Sequence, residues 1–177
     1  HGGIANNLKV NLVRIESDNL KNNEIKRRLK NVSGLLIPGG FGKRGTDGKI
    51  AAIKHARIKK IPFLGICYGM QMAVIEFARN KLNLKKATSS EIDKKGLAIV
   101  GLMNEWSKNG KKIKGTDKDL GGTMRLGSYD AKLMKNSIIQ KIYGKNLIKE
   151  RHRHRYEVNI AFKEKFEKNG MSFSGLS

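Results

Sequence analysis

The spacing of apolar residues in the first half of the chain changes several times between the pattern of a strand and that of a helix. Each change predicts a boundary between two elements. Leu8 to Ile15 alternate apolar and polar residues, the pattern of a first β-strand. Asn19 to Lys30 place Leu20, Ile25 and Leu29 among charges, which predicts a surface helix.

The next segments repeat this succession. Val32 to Pro38 and Ile61 to Ile66 are short apolar runs typical of buried strands. Asp47 to Lys59 and Gly69 to Leu82 have helical periodicity. Strands alternating with helices indicate an α/β domain, with a mostly parallel central sheet and helices on both faces.

The second half is more irregular and carries several glycines. It predicts strands at Leu97 to Trp106 and Lys112 to Lys114, a glycine-rich loop at Asp119 to Gly127, helices at Ser137 to Tyr143 and Phe162 to Asn169, and a strand starting within Met171 to Leu176. Gly170 suits the position just after a helix end. We expect one domain over residues 1–177.

The charge is strongly positive, with 37 Lys and Arg against 15 Asp and Glu, a net charge of +22. Clustered cations can bind nucleic acid by displacing counterions from phosphates. Here the lysines are spread along the chain, and only 6% of residues are aromatic, which leaves few surfaces on which bases could stack. We therefore expect a generally basic surface, without a nucleic-acid partner.

Cysteine content and hydropathy restrict the compartment. The chain has one cysteine, which cannot form an internal disulfide, and no apolar run of the length that would span a membrane. We expect a cytoplasmic protein with no membrane partner.

That single cysteine, Cys67, lies in the sequence GICYG, where a predicted strand meets a predicted helix. G-x-C-x-G has the form of a nucleophile elbow, in which flanking glycines permit a sharp turn and the helix N-terminus favours a thiolate. The alternative is that Cys67 is a small buried residue of the core. Gly39 and Gly40 follow the neighbouring predicted strand, where their backbone could stabilise an oxyanion, although PGG alone is often only a turn.

Four segments carry a closer resemblance: LLIPGGFGKRG, LGICYGMQMAVIEFAR, DLGGTMRLG and ERHRHRYEVN. Together they resemble the glutaminase domain of the CTP synthase family, a class I glutamine amidotransferase domain. The resemblance implies a flavodoxin-like three-layer sandwich. It also implies hydrolysis of L-glutamine through a cysteine thioester, which supplies ammonia for the ATP-dependent amination of UTP to CTP.

The resemblance also implies residue roles. Cys67 would be the nucleophile, and Gly40 and the backbone N–H of Tyr68 the oxyanion hole. Glutamine would be held by Gly40, Tyr68, Gly69, Met70, Gln71, Glu91 and Arg155. Taken alone, Gln71 and Glu91 are typical of ordinary helix residues, and the arginines and histidines of RHRHR could form a patch that binds phosphate or nucleic acid. Tyr68 stands where the family commonly has leucine, and we expect little effect because the chemistry uses its backbone.

One departure from the family pattern is larger. The family completes its triad with an H-P-E motif, and no H-x-E occurs in this chain. His152 and His154 belong to the substrate-binding segment, so we do not expect them to replace the triad histidine. We expect the domain to lack its C-terminal end, together with the N-terminal amidoligase domain of the family.

The resemblance implies further partners and cofactors. This domain would hold no metal or cofactor, while the whole enzyme would use ATP and Mg²⁺, take GTP as activator and form a homotetramer. DLGGTMRLG would lie in a loop linked to GTP activation. The alternatives are a PfpI-like cysteine hydrolase of the same fold, a basic nucleic-acid-binding domain, and an interaction module without catalysis.

Overall fold

The computed structural model describes residues 1–102, 105–108, 111–114 and 124–177. The helices are α1 (Gly2–Ala5), α2 (Asn22–Arg28), α3 (Thr46–Lys59), α4 (Tyr68–Asn80), α5 (Ile138–Tyr143) and α6 (Lys163–Lys168), with a 3₁₀ turn at Ile160–Phe162. The strands are β1 (Leu35–Ile37), β2 (Phe63–Gly65), β3 (Ala87–Ser89), β4 (Leu97–Leu102), β5 (Glu105–Lys108), β6 (Lys111–Lys114), β7 (Arg125–Leu133), β8 (Leu147–His154), β9 (Tyr156–Val158) and β10 (Gly175–Leu176).

The strand pairing is mixed, within an α/β architecture. Strands β1 and β2 pair in parallel, as the two apolar runs predict. Strand β4 pairs in parallel with β3 and antiparallel with β9. Strand β7 lies between β10 and β8, antiparallel to both, and β5 and β6 form an antiparallel pair. The described pairings thus contain more antiparallel strands than the sequence pattern predicts.

Helix α4 is the centre of the packing. On one side Met72 and Ile75 lie in a cluster with Ile50 and Ile53 of α3 and with Ile37 of β1. On another side Val74, Phe77 and Ala78 pack around the fully buried Phe166 of α6. Because α4 is buried on both sides, its N-terminal residues are held firmly against the sheet.

An ion pair with a buried carboxylate joins α3 to α4. Arg57 donates from Nε to Glu76 Oε2 at 2.9 Å and from Nη2 to Glu76 Oε1 at 2.7 Å. The Glu76 side chain is 1% exposed. The two-pronged geometry compensates the carboxylate for the water it loses on burial.

The predicted first strand is wrong. Residues 8–15 form no secondary structure, and none of the strand pairings among the described residues includes them. Leu8, Val10 and Leu12 are 61–77% exposed, whereas Ile15 packs beside α2. An alternating pattern shows which residues could share one face of a strand. A strand forms only where a neighbouring strand hydrogen-bonds to its backbone N–H and C=O groups.

Most of the remaining predicted elements are present with shifted ends, but the single strand predicted for Leu97 to Trp106 is divided into β4 and β5, which belong to different sheets. Ser137 caps α5 by accepting a hydrogen bond from the backbone of Gln140. Gly170 has φ +96° just beyond α6, as predicted. The glycine-rich loop predicted for residues 119–127 is partly replaced by β7, which begins at Arg125, and residues 119–123 lie outside the described residues. Among the described helices, none has the length and apolar content needed to cross a membrane.

Candidate active site

Cys67 occupies the turn between β2 and α4. Strand β2 ends at Gly65, α4 begins at Tyr68, and Cys67 is the N-cap residue with φ +52° and ψ −105°. A positive φ is costly for a residue with a Cβ and is found where surrounding structure enforces it. The carbonyl of Cys67 accepts the first helical hydrogen bond from Gln71 N at 3.1 Å. The predicted strand-to-helix turn is therefore present, and the role of Cys67 as a nucleophile stays a prediction.

The two glycines around Cys67 are required sterically. A Cβ on Gly65 would lie 2.7 Å from the carbonyl carbon of Gly69 and from the backbone nitrogen of Met70. A Cβ on Gly69 would lie 2.8 Å from the carbonyl carbon of Ile37 and closer still to its oxygen. These approaches let α4 start immediately after the strand and directly beside β1.

The glycine loop, residues 39–42, faces this turn from the end of β1. A Cβ on Gly39 would be 3.7 Å from the Cβ of Cys67, and one on Gly40 would be 3.8 Å from Cδ1 of Tyr68. Because β1 and β2 are parallel neighbours, their carboxyl ends bring the loop and the cysteine together. The structure thus brings together Gly40, Cys67 and Tyr68, as the sequence predicts.

An open cleft of about 1450 Å³ borders the turn. Its lining includes Cys67, Met70, Gln71, His152, His154 and Tyr156. Gln71 is 4% exposed and donates from Nε2 to the backbone oxygen of Tyr156 at 2.9 Å. In this structure Gln71 therefore ties α4 to β9 at the edge of the cleft.

Arg125 and Glu157 also line the cleft, together with His152 and His154. Arg125 Nη1 lies 3.3 Å from Glu157 Oε1, and its guanidinium stacks 4.5 Å from the ring centroid of Tyr129. The rings of His152 and His154 are 5.2 Å apart. Burial lowers the pKa of His154, and the nearby carboxylate of Glu157 opposes that shift.

Of the predicted substrate residues, Met70 and Gln71 line the cleft, whereas Gly40, Tyr68, Gly69, Glu91 and Arg155 do not. Glu91, after β3, accepts a hydrogen bond at Oε1 from the backbone N–H of Gly42 at 2.7 Å, so it contacts the glycine loop. Arg155 lies between β8 and β9, and the cleft lining includes its neighbours His154 and Tyr156 but not Arg155 itself. Gly69 is buried in the first turn of α4. The substrate roles of all these residues stay predictions.

The side chain of Tyr68 is the feature that the sequence analysis missed. It is 2% exposed, and its hydroxyl donates to the backbone oxygen of Gly42 and lies 3.4 Å from Thr46 Oγ1. Burial raises the pKa of this phenol. Side chains in the first turn of a helix point back toward its N-terminus. A tyrosine directly after the elbow cysteine could therefore have indicated a side chain that reaches the neighbouring glycine loop.

The described residues contain no cluster of three or more His, Cys, Asp or Glu side chains with the geometry of a metal site. The site that they form is instead a thiol at a helix N-terminus, between a glycine loop and a polar cleft. That arrangement can attack a carbonyl and place backbone N–H groups near the resulting oxyanion.

Comparison with known proteins finds a matching family and close relatives over the whole chain. The family model described as glutamine amidotransferase class-I matches residues 1–177. CTP synthase of Pelagibacter ubique strain HTCC1062 is 81% identical over 177 residues, and that of Gluconobacter oxydans strain 621H is 54% identical over 179. Both comparisons cover 100% of this chain and 33% of the relative, so the chain spans about a third of the length of these curated relatives.

A solved structure is similar over nearly the whole chain. The Trypanosoma brucei CTPS glutaminase domain with bound acivicin matches with a TM-score of 0.84 and 37% identity. The match covers 98% of this chain and 64% of that one. This similarity confirms the predicted α/β fold class.

Proposed function

Since this chain belongs to the class-I glutamine amidotransferase family, we propose that it is the glutaminase domain of a CTP synthase. It would hydrolyse the side-chain amide of L-glutamine and supply ammonia for the ATP-dependent amination of UTP to CTP. The high identity to curated CTP synthases over the entire chain supports this specific member of the family.

The observation that carries the proposal is the backbone of Cys67. Its positive φ at the N-cap of a thirteen-residue helix holds the thiol out of the turn and places it at the positive end of the helix dipole. Such strain persists where the surrounding structure enforces it, and it is concentrated at active sites. A cysteine that only filled the core would not need this conformation.

In the proposed reaction, the Cys67 thiolate attacks the side-chain amide carbon of glutamine. The carbonyl oxygen becomes an oxyanion, which accepts hydrogen bonds from the backbone N–H groups of Gly40 and Tyr68. The tetrahedral intermediate collapses with cleavage of the C–N bond, releasing ammonia and leaving a glutamyl thioester. Water then hydrolyses the thioester to glutamate and restores the thiol.

The remaining substrate contacts are also proposals. Met70 and Gln71 line the cleft beside Cys67, where they would contact the carbon chain and amide of glutamine. Glu91 would hold the α-ammonium group and Arg155 the α-carboxylate, for which a planar guanidinium is suited. Gly69 would contribute the close approach of the backbone at the start of α4.

Proton transfer requires a base for the thiol and an acid for the departing ammonia. This chain contains no H-x-E sequence. The chain spans about a third of the length of its curated relatives, and we propose that the triad histidine and glutamate belong to the rest of such a longer protein. We propose that residues 1–177 form most of one amidotransferase domain within such a protein.

The proposed partners follow from the same assignment. The domain itself would need no cofactor. An amidoligase domain of the same protein would receive the ammonia and use UTP, ATP and Mg²⁺, with GTP as activator. A cytoplasmic homotetramer is the proposed assembly.

The experiment is a mass measurement on the full-length protein carrying this chain, treated with acivicin, the compound bound to the trypanosomal glutaminase domain. We expect one covalent adduct on Cys67, slowed by excess L-glutamine and absent in Cys67→Ala. The matched measurement uses iodoacetamide, which reports thiol access alone. Reaction with iodoacetamide but none with acivicin, together with no hydrolysis of glutamine, would reject the proposed function.

A further inference from the structure

Gly42, the last residue of the glycine loop, is held at both of its backbone polar groups by side chains. Its N–H donates to Glu91 Oε1 at 2.7 Å, and its carbonyl oxygen accepts from the Tyr68 hydroxyl. Two residues from different parts of the chain therefore fix one peptide of a glycine-rich segment. Glycine has unusual backbone freedom, and Gly42 itself has φ +77°.

The ring of Tyr68 supports a second point of the same loop. A Cβ at Gly40 would lie 3.8 Å from Cδ1 and 4.0 Å from Cγ of Tyr68, so the open side of Gly40 faces this ring. The ring is 2% exposed, which leaves it little freedom to move. The Tyr68 side chain thus faces Gly40 with its ring and contacts Gly42 through its hydroxyl.

Tyr68 also follows Cys67 directly in the chain. Its N–H belongs to the first turn of α4, where backbone donors have no acceptor within the helix. The two donors of the proposed oxyanion hole are the N–H groups of Gly40 and Tyr68. One proposed donor, the N–H of Tyr68, therefore belongs to the same residue whose side chain faces Gly40, which carries the other proposed donor.

We propose that Tyr68 is a positioning residue, whose hydroxyl holds the glycine loop at the spacing from the Cys67 elbow that oxyanion stabilisation requires. The effect on catalysis rests on the proposed function, whereas the contact by which Tyr68 holds the glycine loop does not. Stabilisation of an oxyanion depends on donors that are already in place before charge develops. A loop that loses this contact would sample other positions and lower the rate of thioester formation.

The contacts around the hydroxyl favour a positioning role over simple filling of space. Thr46 Oγ1 lies 3.4 Å from the Tyr68 oxygen and itself donates to the backbone of Lys43, so the hydroxyl belongs to a network that continues into α3. Lys49 Nζ lies 6.0 Å from the centroid of the ring. The hydroxyl is thus buried among polar partners that fix its direction.

The test compares two variants of the full-length protein that each remove a single phenolic oxygen. Tyr68→Phe removes the hydroxyl that contacts Gly42. Tyr143→Phe is the matched control, because Tyr143 on α5 donates a hydrogen bond to Glu150 outside the proposed site. Amide hydrogen exchange of the peptide spanning residues 39–45 and steady-state glutamine hydrolysis are measured for both variants.

We expect exchange in the glycine loop of Tyr68→Phe to be about three- to tenfold faster than in the wild type, and Tyr143→Phe to match the wild type. We expect kcat for glutamine hydrolysis to fall about tenfold in Tyr68→Phe with a smaller change in KM, because the contact acts on the transition state. Alkylation of Cys67 by iodoacetamide should keep its rate, since it needs no oxyanion hole.

Unchanged loop exchange in Tyr68→Phe would overturn the proposal, as would faster exchange with an unchanged kcat. An equal loss of kcat in Tyr143→Phe would also overturn it, because the effect would then be general. If the wild-type protein does not hydrolyse glutamine, the proposed function fails, and the exchange measurement still decides whether Tyr68 holds the loop.

Discussion

The α-carbon of Gly69 lies so close to the backbone of Ile37 that a side chain cannot be placed between them. A Cβ at this position would be 2.8 Å from the carbonyl carbon of Ile37 and 3.1 Å from its Cβ. The first turn of α4 is therefore packed directly against the end of β1. This contact fixes where the helix starts, and with it the position of Cys67.

Replacing Gly69 with alanine should force α4 away from β1. We expect Gly69→Ala to lower the free energy of unfolding by about 1–3 kcal/mol, the usual cost of overpacking. We also expect slower acylation of Cys67, because the elbow moves with the helix. Urea denaturation and acivicin labelling check both effects.

The control for this substitution is Gly101→Ala in β4. A Cβ there would meet only Ser90 Oγ, at the ordinary distance of 3.7 Å. Equal destabilisation by the two substitutions would show that the loss of glycine, and not the contact with Ile37, is responsible.

The backbone conformation of Cys67 should lower the free energy of unfolding. With φ +52° and ψ −105°, Cys67 adopts a sparsely populated conformation that costs a residue with a Cβ about 1–3 kcal/mol, a cost that glycine largely avoids. We therefore expect Cys67→Gly to be more stable than Cys67→Ala by about 1 kcal/mol. Both variants should lose covalent labelling and glutamine hydrolysis. Alanine equal to or more stable than glycine in thermal unfolding would contradict the strain at this position.

The Arg57–Glu76 pair should contribute strongly to the stability of the α3–α4 contact. Arg57→Ala leaves the carboxylate of Glu76, whose side chain is 1% exposed, without its partner. We expect a loss of about 3–5 kcal/mol in the free energy of unfolding, because an unpaired buried charge is costly. Chemical denaturation provides the measurement.

Lys168→Ala supplies the comparison for the buried pair. Lys168 pairs with Glu164 one helical turn away on α6, with both side chains largely exposed. We expect a change of about 0.5 kcal/mol or less. Similar losses in the two variants would argue against burial as the reason for the effect.

His154 should make the folded protein sensitive to mild acid. Burial lowers its pKa below the ordinary value of 6.5, while Glu157 opposes the shift and His152 and Arg125 add to it. The unfolded chain then binds a proton more readily than the folded one, so stability is full above about pH 6.5 and falls as the pH decreases below it.

Unfolding measured from pH 7.5 to 5.0 checks this expectation. We expect His154→Gln to lose less stability than the wild type over this range. His55→Gln, on α3, is the matched histidine substitution. If the free energy of unfolding of His154→Gln falls with decreasing pH as steeply as that of the wild type, other groups cause the acid sensitivity.

The elbow could be predicted from sequence because its requirements are local. Two glycines around one cysteine, at a change from strand to helix period, restrict the backbone strongly. The nearness of Gly39 and Gly40 followed from the rule that neighbouring parallel strands end at the same edge of a sheet. Short-range sterics and this topological rule were sufficient for both.

Residues 8–15 and the Tyr68 side chain could not be predicted because their states depend on distant parts of the chain. The alternating residues 8–15 need a strand partner that periodicity does not identify. The Tyr68 hydroxyl finds its acceptor 26 residues away, in the glycine loop. The bond from Gln71 to the backbone of Tyr156 spans 85 residues. Contacts of this kind are set by the tertiary fold.

The close packing of Gly65 and Gly69 also bears on how such a sequence can drift over evolutionary time. Substitutions at these glycines disturb the backbone packing of the elbow, whereas substitution of Cys67 removes the thiol and keeps that packing. A lineage released from selection for chemistry can therefore change its cysteine first and keep its glycines. A GxxxG remnant without cysteine, in a descendant with this fold, would mark an enzyme that has lost its reaction while its architecture continued to be selected.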